Sequence, residues 1–258
     1  TIECRYFKFI CYKYSRMKKT LLMVAMSLSL TTFAQETKID NMSLSVTGGY
    51  SDHLLRNGVS RLDDTFSFGL DITSPATNNI VPVDLYVGGT YLASDLSSPE
   101  GSIWYGGLGK TVELNDKYSL RLDGVVSAID TNVDHIPNTV DASVTAALIN
   151  PLVTPYVSYT KDWQIEQNGW TFGVTKDIPL SIDGEEWLQL TPDVSYYMFD
   201  DYESLVAKAR LSVVRWDNVT PFIEGRYLDN DFDAGNVNWA THEGDSEFSY
   251  FAGLKFDF

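Results

Sequence analysis

Apolar and polar residues alternate along most of the chain, and the alternation is clearest at its end. Between Phe248 and Phe258 every second residue is apolar or aromatic, whereas Lys255 and Asp257 lie in the other phase. Phe251 is the one large residue that breaks this pattern. A period of two places alternate side chains on opposite faces of an extended strand, so the segment predicts a two-faced β-strand.

Similar short segments recur throughout the chain and are separated by clusters of Gly, Pro, Asn and Asp. No stretch shows the 3.6-residue period of an amphipathic helix. The pattern predicts an all-β domain of about twelve strands. They lie near residues 43–50, 65–72, 83–92, 102–111, 117–128, 139–149, 152–161, 169–178, 187–199, 203–214, 219–228 and 246–258.

Charged residues occupy the polar phase of these segments. In the segment that begins at Tyr118, Leu120 and Leu122 share one face, whereas Arg121 and Asp123 share the other. A soluble β-sandwich would bury the apolar face and expose the charges. A transmembrane barrel would turn the apolar face to lipid and the charges inward, and alternation alone does not separate the two.

Two asymmetries favour the membrane barrel. Most connections after even strands are short (114–117, 150–151, 181–184 and 216–218), whereas the longest follow odd strands (51–64, 93–101, 129–138 and 229–245). The connection at 73–82 is a long exception. Short periplasmic turns and longer outer loops are typical of outer-membrane barrels. Aromatic residues lie near both ends of the strands, as two membrane interfaces require: Tyr50, Tyr91, Tyr159 and Tyr227 at one, Tyr118, Trp187, Trp216 and Phe258 at the other.

The last strand supplies a third argument. Its alternating residues Tyr250, Leu254 and Phe256, followed by Phe258 at the last position, resemble the C-terminal signature of Gram-negative outer-membrane barrels. That resemblance implies recognition by the outer-membrane assembly machinery. We therefore predict a transmembrane antiparallel up-and-down barrel, and an even number of strands predicts that both termini are periplasmic.

The first hairpin, residues 44–72, resembles a family of uncharacterised Gram-negative outer-membrane proteins. Their first strands carry a loop of the type Tyr-x-x-x-Arg-Gly-x-Ser, which Tyr50, Arg56, Gly58, Val59 and Ser60 resemble here, with Asn57 inserted between Arg56 and Gly58. The resemblance covers only this hairpin. It implies a fold and a location but no activity.

The N-terminal region reads as a secretory signal. Met17, Lys18 and Lys19 are followed by a short apolar run and by a small-x-small site that ends at Ala34. This pattern predicts a signal peptide over residues 17–34, an over-extended reading frame over residues 1–16, and a single barrel domain over residues 35–258. Both cysteines lie before Met17, so residues 35–258 can form no disulfide or thiol site.

The net charge excludes one class of partner. The whole chain carries a net charge of −16, and residues 35–258 retain 13 basic and 34 acidic residues, or −21. Nucleic-acid binding requires a basic face that this chain lacks. No motif in the sequence indicates a cofactor.

One acidic segment suggests a metal site. Asp229, Asp231 and Asp233 alternate as in a calcium-binding loop, but Ala234 and Ala240 stand where an EF-hand requires Gly and Glu. We predict at most a weak divalent site here. The other acidic residues of the predicted outer loops would let divalent cations bridge them to lipopolysaccharide.

Catalysis has little support in the sequence. All three histidines, His53, His135 and His242, fall in predicted outer loops, and none pairs with a serine in a recognisable motif. Asp52 with His53 is the remaining candidate for a hydrolase at the outer rim. We therefore predict that the chain is not an enzyme.

The inward phase of the strands is the main candidate site. It predicts a lumen lined by seven acids and five bases: Asp71, Asp84, Arg121, Asp123, Asp141, Asp193, Lys208, Arg210, Glu224, Arg226, Lys255 and Asp257. The bases concentrate on late strands and the acids on earlier ones, which would produce a field across the lumen. Pairing of these charges across the lumen would instead close it.

These features lead to three functional hypotheses. The first is a narrow passive channel for small polar solutes with a mild preference for cations. The second is a non-conducting structural or surface-interaction barrel whose acidic outer loops bind cations. The third is an outer-membrane hydrolase.

Overall fold

The computed structural model describes residues 42–56, 59–76, 82–94, 100–131, 138–164, 166–231 and 246–258. The compact unit spans Asn41–Asp257. The predicted reading-frame extension and signal peptide lie outside the described residues. Within the described part of the chain, no helix is long and apolar enough to cross a membrane.

Antiparallel strands make up nearly all of the described structure. Their bounds are β1 Ser43–Arg56, β2 Val59–Ser74, β3 Asp84–Ser94, β4 Glu100–Asn115, β5 Tyr118–Thr131, β6 Thr139–Ile149, β7 Thr154–Asp162, β8 Asn168–Thr175, β9 Ile178–Ile182, β10 Glu185–Phe199, β11 Tyr202–Val213, β12 Val219–Asp231 and β13 Glu247–Asp257.

The sheet closes into a barrel of twelve strand positions. Apart from β8 and β9, which do not pair with each other, each strand pairs with its sequence neighbours, and β13 pairs with β1 to close the ring. β8 and β9 share one position because both pair with the same edge of β10. The predicted all-β antiparallel barrel is confirmed, and among the described strands only β9, which pairs with β10 alone, keeps an unpaired edge.

The break between β8 and β9 has a cause on the neighbouring strand. Thr175 pairs with Asp193 and Ile178 pairs with Leu190, so the gap lies opposite Pro192. Proline has no N–H group to donate to the ladder, and its carbonyl instead accepts from the N–H of Lys176. The sequence predicted a single uninterrupted strand over 169–178.

The prediction of an outer loop over residues 51–64 is wrong. β1 continues to Arg56 and β2 begins at Val59, with pairings such as Ser51 to Thr65 and His53 to Asp63. Charged residues occupy both phases here, so the alternation that marks a strand is lost although the backbone pairing continues. The connection between these strands, residues 57–58, is short.

Short turns at the other end carry typical turn chemistry. Asp183 and Gly184 both have positive φ angles, 54° and 82°, as the two-residue hairpin between β9 and β10 requires. Asn115 Oδ1 accepts hydrogen bonds from the N–H groups of Lys117 and Tyr118. These turns fix the register of the hairpins they close.

Side-chain contacts identify the inner and outer faces. Arg121 on β5 reaches Asp84 on β3 past β4, and Tyr156 on β7 reaches Asp193 on β10 past β8. Side chains can meet past an intervening strand only on the concave side of a barrel. The opposite phase is apolar and exposed, including Val87, Trp104, Leu108, Val126, Val144, Phe172, Val194, Ile223 and Leu254. This outer band fits a lipid environment.

Aromatic rings of the inner face lie flat over glycines of the neighbouring strand. Tyr156 pairs with Gly173, and a Cβ atom at Gly173 would lie 2.2 Å from the Tyr156 ring. The Tyr86 ring covers Gly107 in the same way, since a Cβ atom at Gly107 would lie 2.4 Å from that ring. Glycines in strands are often covered by aromatic side chains in this manner, and the rings consequently follow the wall instead of crossing the interior.

Candidate functional site

The structure places all twelve predicted inward charges on the inner face. The strand register gives this placement. Each charged residue shares a strand face with a side chain whose contacts lie inside the barrel. The inner face therefore carries seven carboxylates and five bases from the predicted set. Most of them form ion pairs, which decides what charge the interior presents.

The first ion-pair cluster lies on β3 and β5. Arg121 pairs with Asp84 and, through Nη2, with Asp123 Oδ1 at 2.8 Å. The Tyr86 hydroxyl lies 3.5 Å from the same Asp123 oxygen, and Thr111 lies 3.3 Å from Arg121 Nη1. Two carboxylates surround one guanidinium, so this cluster carries one net negative charge.

The second cluster lies on β11 and β12 and has the reverse composition. Glu224 is 6% exposed and lies between two guanidinium groups. Its Oε1 is 2.6 Å from Arg226 Nε, and its Oε2 is 2.8 Å from Arg210 Nη2. Because two bases flank one carboxylate, this cluster carries one net positive charge.

A neutral pair lies beside the second cluster on β10 and β11. Lys208 Nζ is 3.3 Å from Asp193 Oδ1, and these residues are direct register partners. Ser195 donates to Asp193 over 2.8 Å, and Tyr156 Oη lies 3.2 Å from Asp193 Oδ2. The aspartate is thus hydrogen-bonded from three sides.

The other predicted charges are spread over the remaining wall. Lys255 pairs with Asp257 at 2.7 Å on β13. Asp141 is buried, accepts a hydrogen bond from Ser127 over 2.5 Å, and lies directly opposite Asp162 on β7. Asp71 makes no hydrogen bond or ion pair with another described residue.

The two charged clusters lie on roughly opposite sides of the barrel. β3–β5 and β11–β12 are separated by about half the strands in either direction around the ring. Their net charges are opposite in sign, so the inner face carries a transverse electric field although most of its charges are paired.

A recess of about 280 Å³ opens on the inner wall formed mainly by β1–β4. It is lined by hydroxyl groups, by the aliphatic side chains of Leu92 and Ile103, by Asp71, and by Arg226 and Phe251 from the last two strands. Phe251 is the residue that breaks the alternation of the final strand. It faces inward, with its ring 5.0 Å from Phe222 and 5.2 Å from the Arg226 guanidinium.

The predicted metal loop is only partly described. Asp229 and Asp231 belong to β12 instead of a loop and lie on its exposed outer phase, whereas Asp233 lies outside the described residues. Among the described residues, no group of three or more acidic, histidine or cysteine side chains is arranged to hold a metal ion. A weak divalent site here stays a prediction.

The candidate pair Asp52 and His53 does not form a catalytic arrangement. The Asp52 carboxylate accepts from the backbone N–H groups of His53 and Tyr250. The His53 imidazole instead lies 2.6 Å from the Glu247 carboxylate. The Ser51 hydroxyl donates to the backbone carbonyl of His53, so it is not presented to the imidazole as a nucleophile would be.

The residues of the predicted assembly signal lie on the outer phase of β13. Tyr250 and Leu254 are 46% and 43% exposed, and Phe256 pairs with Val46 and Val219. Phe258 follows the strand. The resemblance of the first hairpin falls partly on residues 57–58, outside the described residues. Recognition by assembly machinery and membership of that family both stay predictions.

Solved outer-membrane channels have a similar fold. The KdgM porin matches with a TM-score of 0.51 and 10% identity, over 84% of this chain and 99% of that chain. The same porin in complex with disordered oligogalacturonate matches with a TM-score of 0.51 and 12% identity, over the same shares. An outer-membrane channel from Pseudomonas putida F1 matches with a TM-score of 0.51 and 9% identity, over 84% and 94%.

No protein-family model and no curated protein sequence matches the chain. At these identities the structural likeness establishes the fold alone. The chain folds as a porin-like outer-membrane β-barrel, and its similarity to channels is a similarity of architecture.

Several inner-face residues were missed by the sequence analysis. Asp162 shares the inward phase of its strand, but the predicted strand ended one residue before it. The inward aromatic residues Tyr86, Tyr156 and Phe222 were counted with the apolar phase or not assigned. Only Phe251 left a signal in the sequence, as a large residue in a polar phase.

Proposed function

We propose that the protein is a passive outer-membrane channel for small polar solutes, with a mild preference for cations. The observation that carries this proposal is the contrast between the two faces of one closed barrel. The outer face is apolar and exposed, whereas the inner face holds charges and hydroxyl groups. A polar interior inside an apolar shell gives water-soluble molecules a surface that can replace part of their hydration.

The cation preference rests on the charge balance of the inner face. Seven carboxylates oppose five bases in the predicted set, and Asp162 adds another acid. Asp71 forms no ion pair with a described base, and its carboxylate adds negative potential to the inner face. Fold similarity to channels supports passive transport in general terms but not a solute.

The same proposal includes the setting of the barrel. We propose that both termini face the periplasm, that the outer surface contacts membrane lipid and lipopolysaccharide, and that the assembly machinery recognises the last strand. The short turns at 116–117 and 183–184 lie at the same end of the barrel as the termini, which supports this orientation.

Single-channel recording in a planar bilayer tests the proposal. The full chain, purified from the outer membrane of a Gram-negative expression host, is expected to give discrete conductance steps. Under a KCl gradient, the zero-current potential is expected to have the cationic sign. The variant Asp71→Asn should move this potential towards zero. Asp229→Asn, which removes the same charge from the exposed outer phase of β12, serves as the matched control.

A correctly folded barrel that never conducts would overturn the channel proposal. Folding is checked independently by the heat-dependent mobility shift of barrels in gels and by circular dichroism. That result would favour the structural barrel with cation-binding outer loops. A conducting barrel with an anionic sign would reject only the cation preference.

A further inference from the structure

The recess on the inner wall has two chemically different ends. Arg226 and Phe251 form one end, where Ser51 and Thr65 pair across β1 and β2. Asp71 lies at the other end, six residues along β2 from Thr65. Because a strand rises by about 3.3 Å per residue, the recess follows the wall lengthwise.

The Arg226 guanidinium at the first end already has ion-pair and hydrogen-bond partners. Arg226 Nε contacts Glu224 at 2.6 Å, and its Nη1 donates to Ser51 Oγ and to the His53 carbonyl, both at 3.3 Å. An incoming carboxylate would have to compete with these partners. Phe251 adds an apolar surface here because its ring lies over Gly49, where a Cβ atom would be 2.4 Å from the ring.

Hydroxyl groups line the middle of the recess together with the aliphatic side chains of Leu92 and Ile103. Thr47, Ser67 and Thr90 make no hydrogen bond with another described residue, so their hydroxyls can donate to and accept from a solute. Gly69 lies between these residues and has no side chain. It leaves free a space in which a Cβ atom would lie only 3.1 Å from Thr90 Oγ1.

The carboxylate at the second end is available to a solute. Asp71 Oδ1 lies over Gly88, 2.3 Å from the position that a Cβ atom would take, beside the Tyr105 hydroxyl. Lys255 acts on Asp71 electrostatically but forms its ion pair with Asp257. An ionised carboxylate only accepts hydrogen bonds, so this end selects a solute that donates them.

We propose that this recess is a binding subsite for a neutral polyhydroxylated solute about the size of one sugar ring. Asp71 repels an anion, and the net positive Arg210–Glu224–Arg226 cluster repels a cation at the opposite end. Hydroxyl donors of the solute meet Asp71, Thr47 and Thr90, and Phe251 bounds the recess at its other end. The volume of about 280 Å³ lies at the small end of ligand pockets. The subsite gives a solute class to the proposed channel and rests on that function.

Equilibrium binding to the detergent-solubilised full chain tests the subsite without requiring conduction. Saturation-transfer NMR titrations use glucose, glucosamine and glucuronate, which share a ring but differ in charge. Glucose is expected to bind saturably, and glucuronate about tenfold more weakly. Asp71→Asn should weaken glucose binding about tenfold and remove the discrimination against glucuronate. Asp141→Asn, which neutralises an inner-face carboxylate on β6 outside the recess lining, should leave both affinities close to those of the parent protein.

A second pair of variants separates loss of the site from loss of the fold. Ser67→Phe fills the recess and is expected to abolish saturable glucose binding. Ser143→Phe places the same ring on the inner face of β6, away from the recess, and should retain binding. Both variants must show the folded mobility shift of the parent protein.

Three results would overturn the subsite. They are retention of glucose binding in Ser67→Phe, tightest binding of glucuronate, and binding of glucosamine without binding of glucose. Each can occur in a barrel that conducts, so the subsite can fail while the channel stands. Saturable binding to a barrel that never conducts would instead reject the channel and retain the binding site.

Discussion

Arg226 contacts Glu224 at 2.6 Å from a position two residues further along the same strand. Residues two apart on a strand share a face, so both side chains lie inside the barrel. Arg210 from the neighbouring strand contacts the second carboxylate oxygen at 2.8 Å. This cluster shows that the interior is not simply acidic, because paired charges of both signs are arranged around its wall.

Replacement of Glu224 by Gln should shift the ion selectivity towards anions. The change keeps the shape of the side chain but leaves two guanidinium groups without their shared counter-charge. The free energy of unfolding should fall by about 3 kcal/mol, since Glu224 is almost fully buried. Zero-current potentials and urea unfolding in lipid vesicles measure the two effects. Glu186→Gln, an equal charge change at an exposed site, is the control.

Replacement of Arg121 by Gln should have the opposite effect on selectivity. Asp84 and Asp123 would then face the interior without a base between them, and the zero-current potential should become more strongly cationic. The free energy of unfolding should fall by only about 1 kcal/mol, because these side chains are about one-quarter exposed. A shift in the anionic direction would contradict this assignment of the cluster.

Two adjacent residues of β6 test which face meets lipid. Val144 is 64% exposed on the outer phase, whereas Ser143 is on the inner phase. Val144→Lys should lower the free energy of unfolding in vesicles by about 2–4 kcal/mol because a charge then lies in the hydrocarbon region. Ser143→Lys should be tolerated. Equal costs at the two positions would be incompatible with the described orientation of the strands.

The covered glycines can be tested with a second matched pair. Gly173→Val should displace the Tyr156 ring from its hydrogen bonds with Asp193 and Ser195, at a cost of about 1–3 kcal/mol. Gly124→Val should cost little, because no atom lies within 4 Å of a Cβ atom placed there. Chemical unfolding in vesicles gives both values. A harmless Gly173→Val would show that the ring can relocate without loss.

Much of the fold could be predicted from the sequence because alternation reports directly on the two environments of a barrel. Strand existence, antiparallel order and the number of strand positions all follow from it. Pro192 shows the limit, since its effect falls on the gap between two other strands and depends on pairing. The extension of β1 and β2 was missed because charged residues occupy both phases there.

The candidate site was less accessible to sequence reasoning. The phase of Arg121 places it inside, but its partner Asp84 lies two strands away and is identified only by the register and curvature of the sheet. Tyr156 and Phe251 belong to the inner face although their residue type suggests the outer one. A recess formed by residues from six strands leaves no local pattern in the chain.

The glycines beneath the inner aromatic rings also set the aperture of the barrel. A ring that lies flat on Gly107 or Gly173 occupies the thickness of the wall instead of the bore. A single methyl group at either position would tilt the ring towards the axis. The free cross-section of the barrel interior therefore depends in part on residues that have no side chain, and it can change without a change in any charged residue of the inner face.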